Sequence, residues 1–314
     1  WCVTYDQKVF LFDRKRSEYI DIGRKINERF NLNLNSSRTF PMSNGYTWLI
    51  NDVSGGPAFC IRDSAYEDSK SIKVYTGKKG EQIRWVEEDD KHRQWIFSNI
   101  RIMTSDSAYV INYPYDMIKQ VGNLVFFATF DGKIGILSEK NASVLPIQIP
   151  SQVKSIKQLG TVGQTMLAAA TNAGIFIYNT ENHKSKLIPL SGIFSNDVNV
   201  IQMLSDEIGR LWVMTDNDDV ILVDVKEGVS KKMECGPTAV LKQTNRSFIY
   251  EDKHHTIWVA TTRGFSGYYD EEKHIFVSTP IRTTVFQPII ENYFIDQQGN
   301  MWYFGDHNLA MVNF

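Results

Sequence analysis

Short apolar runs separated by turn-forming residues recur along most of this chain. Around Trp258, four such runs follow one another, at residues 247–251, 257–261, 265–269 and 274–278. The segments between them carry Asp, Gly, Lys and His, and small or polar residues of this kind favour tight turns. Runs of about five residues split by such turns are typical of β-strands in an antiparallel meander. The pattern predicts four strands in each repeat.

A short motif marks the second strand of the repeat. The segments 206–212 and 296–302 read Asp-x-x-Gly-x-x-Trp, and the segment 252–258 has the same pattern with His in place of Gly. Most copies lie 44–47 residues apart, with a shorter step after the third copy, and the marking residues are Trp1, Trp48, Trp95, Phe126, Leu167, Trp212, Trp258 and Trp302. A fixed period of this length indicates a repeat architecture, which buries its sheets by stacking neighbours.

The motif residues are predicted to be structural. An aromatic ring in the middle of a sheet packs against the neighbouring sheet, and truncating such a buried Trp typically costs about 3–5 kcal/mol. Asp and Gly favour the turn that precedes it. The residues assigned to this structural role are Trp1, Trp48, Trp95, Trp212, Trp258, Trp302, Asp206, Gly209, Asp296 and Gly299.

These repeats predict an all-β fold, a β-propeller built from four-stranded antiparallel sheets. One sheet cannot cover both of its own faces, whereas sheets stacked around an axis cover each other. The copy number favours about seven blades, with eight as the alternative. A single domain over residues 1–314 is expected, with an irregular connection at 23–41 that is rich in Asn, Arg and Ser.

Charge and composition exclude several classes of protein. Lys plus Arg total 34 and Asp plus Glu total 36, so the chain lacks the basic character of a nucleic-acid binder. Its three cysteines, Cys2, Cys60 and Cys235, have neither disulfide nor zinc spacing and are expected to be small buried side chains. Because the chain begins at Trp1 rather than Met, we expect it to be a fragment, a processed protein or an excerpt of a longer one.

The motif resembles the two-component-regulator propeller repeat, whose pattern is Asp-x-x-Gly-x-x-Trp-Val-x-Thr-x-x-Gly followed by an apolar residue. The best matches are residues 206–220, 252–265 and 296–309. The resemblance implies a periplasmic sensor region, part of an inner-membrane hybrid two-component system. Such a sensor detects oligosaccharides from complex polysaccharides and controls the genes for their use. The resemblance also implies an adjacent propeller, a β-sandwich and a histidine kinase domain elsewhere in the full-length chain, and a homodimer.

No catalytic residue, metal site or cofactor is predicted for this segment. A glycosidase needs two carboxylates that flank the bond, and the acidic clusters at 87–90 and 216–219 are expected to be solvated turns. A sialidase Asp-box has two steps from Asp to Gly, whereas Asp206 and Gly209 are three apart. Two alternatives remain: a propeller glycoside hydrolase or lyase, and a protein-interaction platform.

The loops between second and third strands are the predicted ligand-binding face. Loops on a rigid scaffold carry most binding sites, and amides, carboxylates and guanidinium groups suit sugar hydroxyls and acidic sugars. The candidate ligand-binding residues are Arg263, Asn217, Asp131, Asn172, Asp306, His307 and Asp6. Arg263 is the best single candidate because its repeat matches the family pattern well.

Overall fold

The structure is a computed structural model, and it divides the chain into two compact units. The first comprises Trp1–Ile118 and Ile136–Leu145, and the second comprises Lys119–Gly135 and Pro146–Phe314. The residues that the structure describes are 2–3, 8–13, 15–31, 34, 38–51, 56–65, 72–140, 142–190, 199–235, 247–262, 265–278, 290–295, 301–305 and 308–312.

The first unit contains three antiparallel sheets, named A, B and C in chain order. Sheet A has the strands Cys2–Val3, Val9–Asp13 and Glu18–Asp21. Sheet B has Thr39–Pro41, Tyr46–Ile50, Ala58–Arg62 and Ile72–Tyr75, and a short 3-10 helix at Asp63–Ala65 follows its third strand. Sheet C has Ile83–Glu88, Gln94–Ser98, Ile102–Thr104 and Val110–Ile111.

The second unit contains four sheets, named D to G. Sheet D has Ile156–Val162, Met166–Thr171, Gly174–Asn179 and Ser185–Ile188, and sheet E has Val200–Ser205, Leu211–Thr215, Val220–Asp224 and Val229–Lys232. Sheet F has Phe248–Glu251, Ile257–Ala260, Ser266–Asp270 and Ile275–Ser278, and sheet G has Ile290–Ile295, Met301–Gly305 and Asn308–Val312. Residues 117–146 add the strands Met117–Val121, Leu124–Ala128, Ile134–Ser138 and Ser143–Pro146.

The seven marker residues from Trp48 to Trp302 all lie in β-strands, as the repeat predicts, and a strand at Cys2–Val3 follows Trp1. In the complete sheets B to F this strand is the second of four, and consecutive strands pair in an antiparallel meander. The shorter repeat after Trp95 follows from the outer strands of sheet C, which have only three and two residues.

The core lies between consecutive sheets. One cluster joins Ala168 and Ile175 of sheet D to Val213 and Ile221 of sheet E. Comparable clusters join sheets E and F and sheets B and C. Because both faces of an inner strand are covered, all five residues of Gln94–Ser98 are buried. The fourth strands are mostly half-buried or exposed. Face-to-face packing of meanders is typical of propeller blades.

The connection at residues 23–41 contains a helix, so it is more regular than the sequence indicated. The helix spans Ile22–Phe30, where the side chain of Asp21 accepts the backbone N–H of Arg24 at 2.8 Å and caps its first turn. It ends at Asn31, whose left-handed φ of 49° closes the last turn. Ile22 and Ile26 lie four residues apart and pack into the core beside sheets A and B.

The tryptophans differ in burial. Trp48, Trp95 and Trp212 are completely buried, whereas Trp258 is only partly buried and contacts Tyr250 and Tyr268. The Trp1 and Trp302 side chains lie outside the described residues. The cysteines also differ, because Cys60 is buried as expected while Cys235, beyond the outer strand of sheet E, is exposed.

Candidate functional site

An aspartate closes the turn between the first and second strands in three sheets. In sheet E, Asp206 Oδ1 accepts the backbone N–H of Arg210 at 2.8 Å, and Oδ2 accepts the indole N–H of Trp212 at 2.8 Å. Gly209 completes this turn with a φ of 83°. The same Asp–Trp bond recurs in sheet C between Asp89 and Trp95 at 2.9 Å and in sheet F between Asp252 and Trp258 at 2.8 Å. Asp296 and Gly299 lie outside the described residues.

Sheet B lacks this aspartate and satisfies its tryptophan in another way. Met42 occupies the position six residues before Trp48, where sheets C, E and F have Asp. The Trp48 indole donates instead to Oε1 of Gln94 at 3.0 Å, across the boundary to sheet C. A buried N–H that lost this acceptor would cost about 1–3 kcal/mol, so the second strand of sheet C completes the core of sheet B.

Two arginines extend the Asp–Trp turn to the next repeat. Arg210 donates to Asp206 at 2.6 Å and to both carboxylate oxygens of Glu271 in sheet F at 2.9 and 2.7 Å. Arg93 in sheet C donates to Asp89 at 2.6 Å and to Glu139 at 2.8 Å. Each guanidinium therefore bonds one carboxylate in its own turn and one in the next repeat, just after the third strand of that repeat.

Three of the predicted ligand-binding residues lie within the described part of the chain. Asn172 accepts the backbone N–H groups of Lys154 and Ser155 at 2.7 and 3.0 Å, so it holds the segment that enters sheet D. Asp131 accepts a hydrogen bond from Thr129 and pairs with Lys133. Asn217 is exposed. The three lie in turns of different repeats, and Arg263, Asp306, His307 and Asp6 lie outside the described residues.

The turn before Arg263 is part of a link between sheets E and F. Thr262 donates its hydroxyl to Asp218 Oδ2 at 2.6 Å and its backbone N–H to Ser247 Oγ at 3.0 Å, and Ser247 also donates to Asp218. Asp218 and Ser247 are buried. These side chains therefore join two repeats at the same end of the sheets as the predicted binding face.

A cavity of about 220 Å³ opens between sheets B and C. It lies toward the other end of the sheets, at the turns between first and second strands and between third and fourth strands. Its walls are mostly polar and include Asn44, Tyr46, Cys60, Lys73, Tyr75, His92, Arg93, Gln94, Thr104, Ser105 and Asp106. Water occupies about 30 Å³ per molecule in the liquid, so the cavity has room for a small hydroxylated molecule such as one sugar ring.

The cavity walls present hydrogen-bonding groups around two tyrosine rings. The Tyr75 hydroxyl donates to the Ser105 carbonyl at 3.0 Å, and the Lys73 ammonium lies 6.0 Å from the centre of the Tyr46 ring. A hydrogen bond from Thr104 lowers the pKa of Asp106, which keeps that carboxyl ionised. Burial raises the pKa of the Cys60 thiol to about 11, so this cysteine stays protonated and poorly nucleophilic at neutral pH.

Two turns at this same end of the sheets carry a glutamate and a histidine. In sheet C, Glu88 accepts the backbone N–H and the hydroxyl of Ser43 at 2.7 and 3.0 Å, and His92 Nδ1 lies 2.8 Å from that hydroxyl. In sheet F, His255 Nδ1 lies 2.8 Å from Oε2 of Glu207 and 3.1 Å from Oε1 of Glu251. The sequence predicted a solvated turn for the acidic cluster at 87–90, but the Glu88 and Asp89 side chains are only 14% and 1% exposed. The two histidines were not predicted as site residues, although the pattern Glu-Asp-x-x-His occurs at both 88–92 and 251–255.

Comparisons with known proteins establish the fold. No protein-family model and no curated protein matches the sequence. The structure is similar to an extracellular domain, from B. thetaiotaomicron, designated as that of a hybrid two-component system, with a TM-score of 0.54, 15% identity, and coverage of 87% of this chain and 40% of that chain. Virginiamycin B lyase from Staphylococcus aureus gives a TM-score of 0.54 at 12% identity over 85% of this chain and 90% of that chain.

The WD40 β-propeller domain of Doa1 is similar as well, with a TM-score of 0.50 at 14% identity over 87% of this chain and 90% of that chain. The fold is therefore a β-propeller, as the repeat predicted. The chain spans about 40% of the length of the two-component structure that it matches. Within the described residues, no helix has the length and apolar character needed to cross a bilayer.

Proposed function

We propose that this chain is a ligand-sensing propeller module of a hybrid two-component receptor, located in the periplasm and responsive to oligosaccharides. The cavity between sheets B and C carries the proposal, because polar side chains and two tyrosine rings suit a sugar ring. The similarity to an extracellular domain of a hybrid two-component system supports the sensor role. An adjacent propeller, a β-sandwich, a kinase domain and a homodimer belong to this same proposal.

A binding role is favoured over glycoside hydrolysis by the composition of the cavity. Its described walls contain one carboxylate, Asp106, whereas a glycosidase uses two on opposite sides of the bond. Virginiamycin B lyase has the same fold, so a lyase is the enzyme alternative that the test must address.

The test is a thermal-shift screen of the chain against neutral and uronic-acid-containing oligosaccharides, followed by calorimetric titration of any that raise Tm. A ligand that binds only the folded form raises stability in proportion to RT ln(1 + [L]/Kd). Lys73→Met is expected to weaken binding at least tenfold, because Lys73 faces the cavity. Lys157→Met is the matched control, since Lys157 is an exposed strand lysine of sheet D.

Asn217→Ala and Arg263→Ala test the face that the sequence predicted. Loss of affinity in these variants, with Lys73→Met unaffected, would move the site to the turns between second and third strands. Breakdown of an oligosaccharide by the purified chain, abolished by Asp106→Asn, would establish the enzyme instead. Absence of any Tm shift across the screen would contradict the saccharide ligand.

A further inference from the structure

Three side chains at the boundary between sheets E and F bring their ligand atoms together. Glu207 lies in the turn between the first and second strands of sheet E. Glu251 ends the first strand of sheet F, and His255 lies in the turn that follows it. One imidazole nitrogen and one oxygen from each carboxylate all lie within 4.8 Å of one another. His255 Nδ1 is the common neighbour, at 2.8 Å from Glu207 and 3.1 Å from Glu251.

We propose that Glu207, Glu251 and His255 bind a divalent transition-metal ion, with Zn²⁺ as the expected ion. Zn²⁺ takes imidazole nitrogen at about 2.0–2.1 Å and carboxylate oxygen at about 2.0–2.2 Å, usually in tetrahedral geometry. Ligand atoms around such an ion are about 3.3 Å apart. The imidazole nitrogen has to move only a few tenths of an ångström away from each carboxylate oxygen. The two carboxylate oxygens, which lie within 4.8 Å of each other, take up the same spacing, and water is the fourth ligand.

Backbone contacts hold two of the three ligands in place. Asp252 Oδ1 accepts the N–H groups of His254 and Thr256 at 2.8 and 3.0 Å, which sets the turn that presents His255. Glu251 Oε1 also accepts the backbone N–H of Glu207 at 3.2 Å, so its carboxylate is directed toward the turn of sheet E. The side chain of Glu251 is only 17% exposed. Glu251 and the turn that carries His255 are thus positioned before any ion binds.

The turn of sheet C resembles the proposed zinc site of sheet F but has one ligand fewer. Glu88 and His92 occupy the positions of Glu251 and His255, and both histidines have left-handed backbones, with φ of 59° and 62°. The preceding sheet contributes Ser43 in place of Glu207, and a neutral hydroxyl is a much poorer ligand for Zn²⁺ than a carboxylate. We therefore expect the turn of sheet F, and not that of sheet C, to hold the ion.

The experiment is calorimetric titration of the tag-free chain with ZnCl₂. Parent protein is expected to bind one ion that His255→Gly and Glu207→Ser weaken at least tenfold. Glycine is the sound replacement at 255, because Gly209 stands at the same position of sheet E with a φ of 83°. His92→Gly is the matched control and is expected to leave this binding unchanged. MgCl₂ should bind far more weakly than ZnCl₂, because Mg²⁺ prefers oxygen ligands.

A gain of function completes the test. Ser43→Glu gives sheet C the missing carboxylate and is expected to create a second Zn²⁺ site, which His92→Gly then removes. The proposal is overturned if the parent binds no Zn²⁺, or if His255→Gly and His92→Gly reduce binding equally. It does not depend on the saccharide-sensing function, so failure of either one leaves the other standing.

Discussion

Sheets C and F share the pattern Glu-Asp-x-x-His where the first strand turns into the second, and in each the histidine lies three residues before a tryptophan. In sheet C the glutamate and histidine meet the hydroxyl of Ser43, and a polar cavity opens beside them. In sheet F they meet the carboxylate of Glu207. The repeat sequence determines the shape of the turn in both places. The preceding sheet determines the chemistry, because it supplies the third side chain.

The same two boundaries differ in how they satisfy the turn aspartate. Asp89 of sheet C receives hydrogen bonds from both Arg93 and Trp95. In sheet F a threonine stands at the arginine position, and Asp252 bonds only the indole and backbone amides in the described part of the chain. Turns with the same backbone shape therefore differ in whether their aspartate forms an ion pair.

The largest expected loss of stability distinguishes a turn aspartate that pairs with an arginine from one that does not. Asp206→Ala removes the buried acceptor of the Trp212 indole and one of the two carboxylates that Arg210 bonds, whereas Glu271 remains. We expect the lost hydrogen bonds to the charged carboxylate to cost about 1.5–3 kcal/mol beyond the about 1–3 kcal/mol of the unsatisfied N–H groups. Asp252→Ala removes no ion pair, and we expect a loss of about 1–3 kcal/mol from unsatisfied N–H groups. Urea unfolding of both variants measures the difference, and equal losses would show that the arginine adds nothing.

A second prediction concerns the opposite end of sheet C, where Glu81 forms an ion pair with Arg101 at 2.7 Å. At the corresponding end of the boundary between sheets E and F, Asp218 instead accepts hydrogen bonds from the hydroxyls of Ser247 and Thr262. Glu81→Gln keeps the shape but removes the charge, and hydrogen bonds to charged groups contribute about 1.5–3 kcal/mol. We expect a loss of that size in the free energy of unfolding at pH 7.

The Glu81 variant also has a pH signature. Burial alone would raise the pKa of Glu81, but hydrogen bonds from Arg101, Lys78 and Ser98 lower it below its ordinary value. A carboxyl with a lowered folded-state pKa stabilises the protein above its unfolded pKa of about 4.3 and loses that contribution as the pH falls through the folded value. Parent and variant should therefore converge in stability as the pH falls below about 4. A constant difference from pH 7 to pH 3 would contradict the ionic role.

A third prediction tests whether the indole N–H of Trp48 can use either of the two acceptors found in these sheets, a glutamine in the next sheet or an aspartate in its own turn. Gln94→Leu removes the acceptor of the Trp48 indole, and we expect a loss of about 1–3 kcal/mol. Met42→Asp places a carboxylate where sheets C, E and F have one. The double variant should therefore lose at least about 1 kcal/mol less than the sum of the single losses, measured in a double-mutant cycle. Additive losses would mean that position 42 cannot reach the indole.

The smallest expected effect compares the two histidine turns. His92→Gly and His255→Gly relieve a left-handed backbone that costs a residue with a side chain roughly 1–2 kcal/mol, but each also loses its contacts with Glu88 or Glu251. In metal-free buffer both variants should stay within about 1 kcal/mol of the parent. Differential scanning calorimetry with added ZnCl₂ should then raise the Tm of the parent and of His92→Gly but not of His255→Gly.

The sequence alone determined the architecture of this protein. The repeat period, marked by Trp or by Leu167, identified the second strand of sheets B to F. An aromatic at that position packs between neighbouring sheets, and Asp206 with Gly209 marked the turn before it. The helix Ile22–Phe30 was missed because its apolar residues Ile22, Ile26 and Phe30 are few and lie within an otherwise polar segment.

Only the tertiary structure decided which side chains meet. Gln94 accepts the indole N–H of Trp48 across 46 residues of chain, and Glu207 contacts His255 across 48 residues. The repeat predicts that consecutive sheets pack face to face, but not which turn residues reach across the boundary. That depends on side-chain length and on strand ends that differ from sheet to sheet. Ser43 and Glu207 occupy equivalent positions beside the turn of the following sheet. Whether that position carries a hydroxyl or a carboxylate matters only because the following sheet brings its glutamate and histidine next to it.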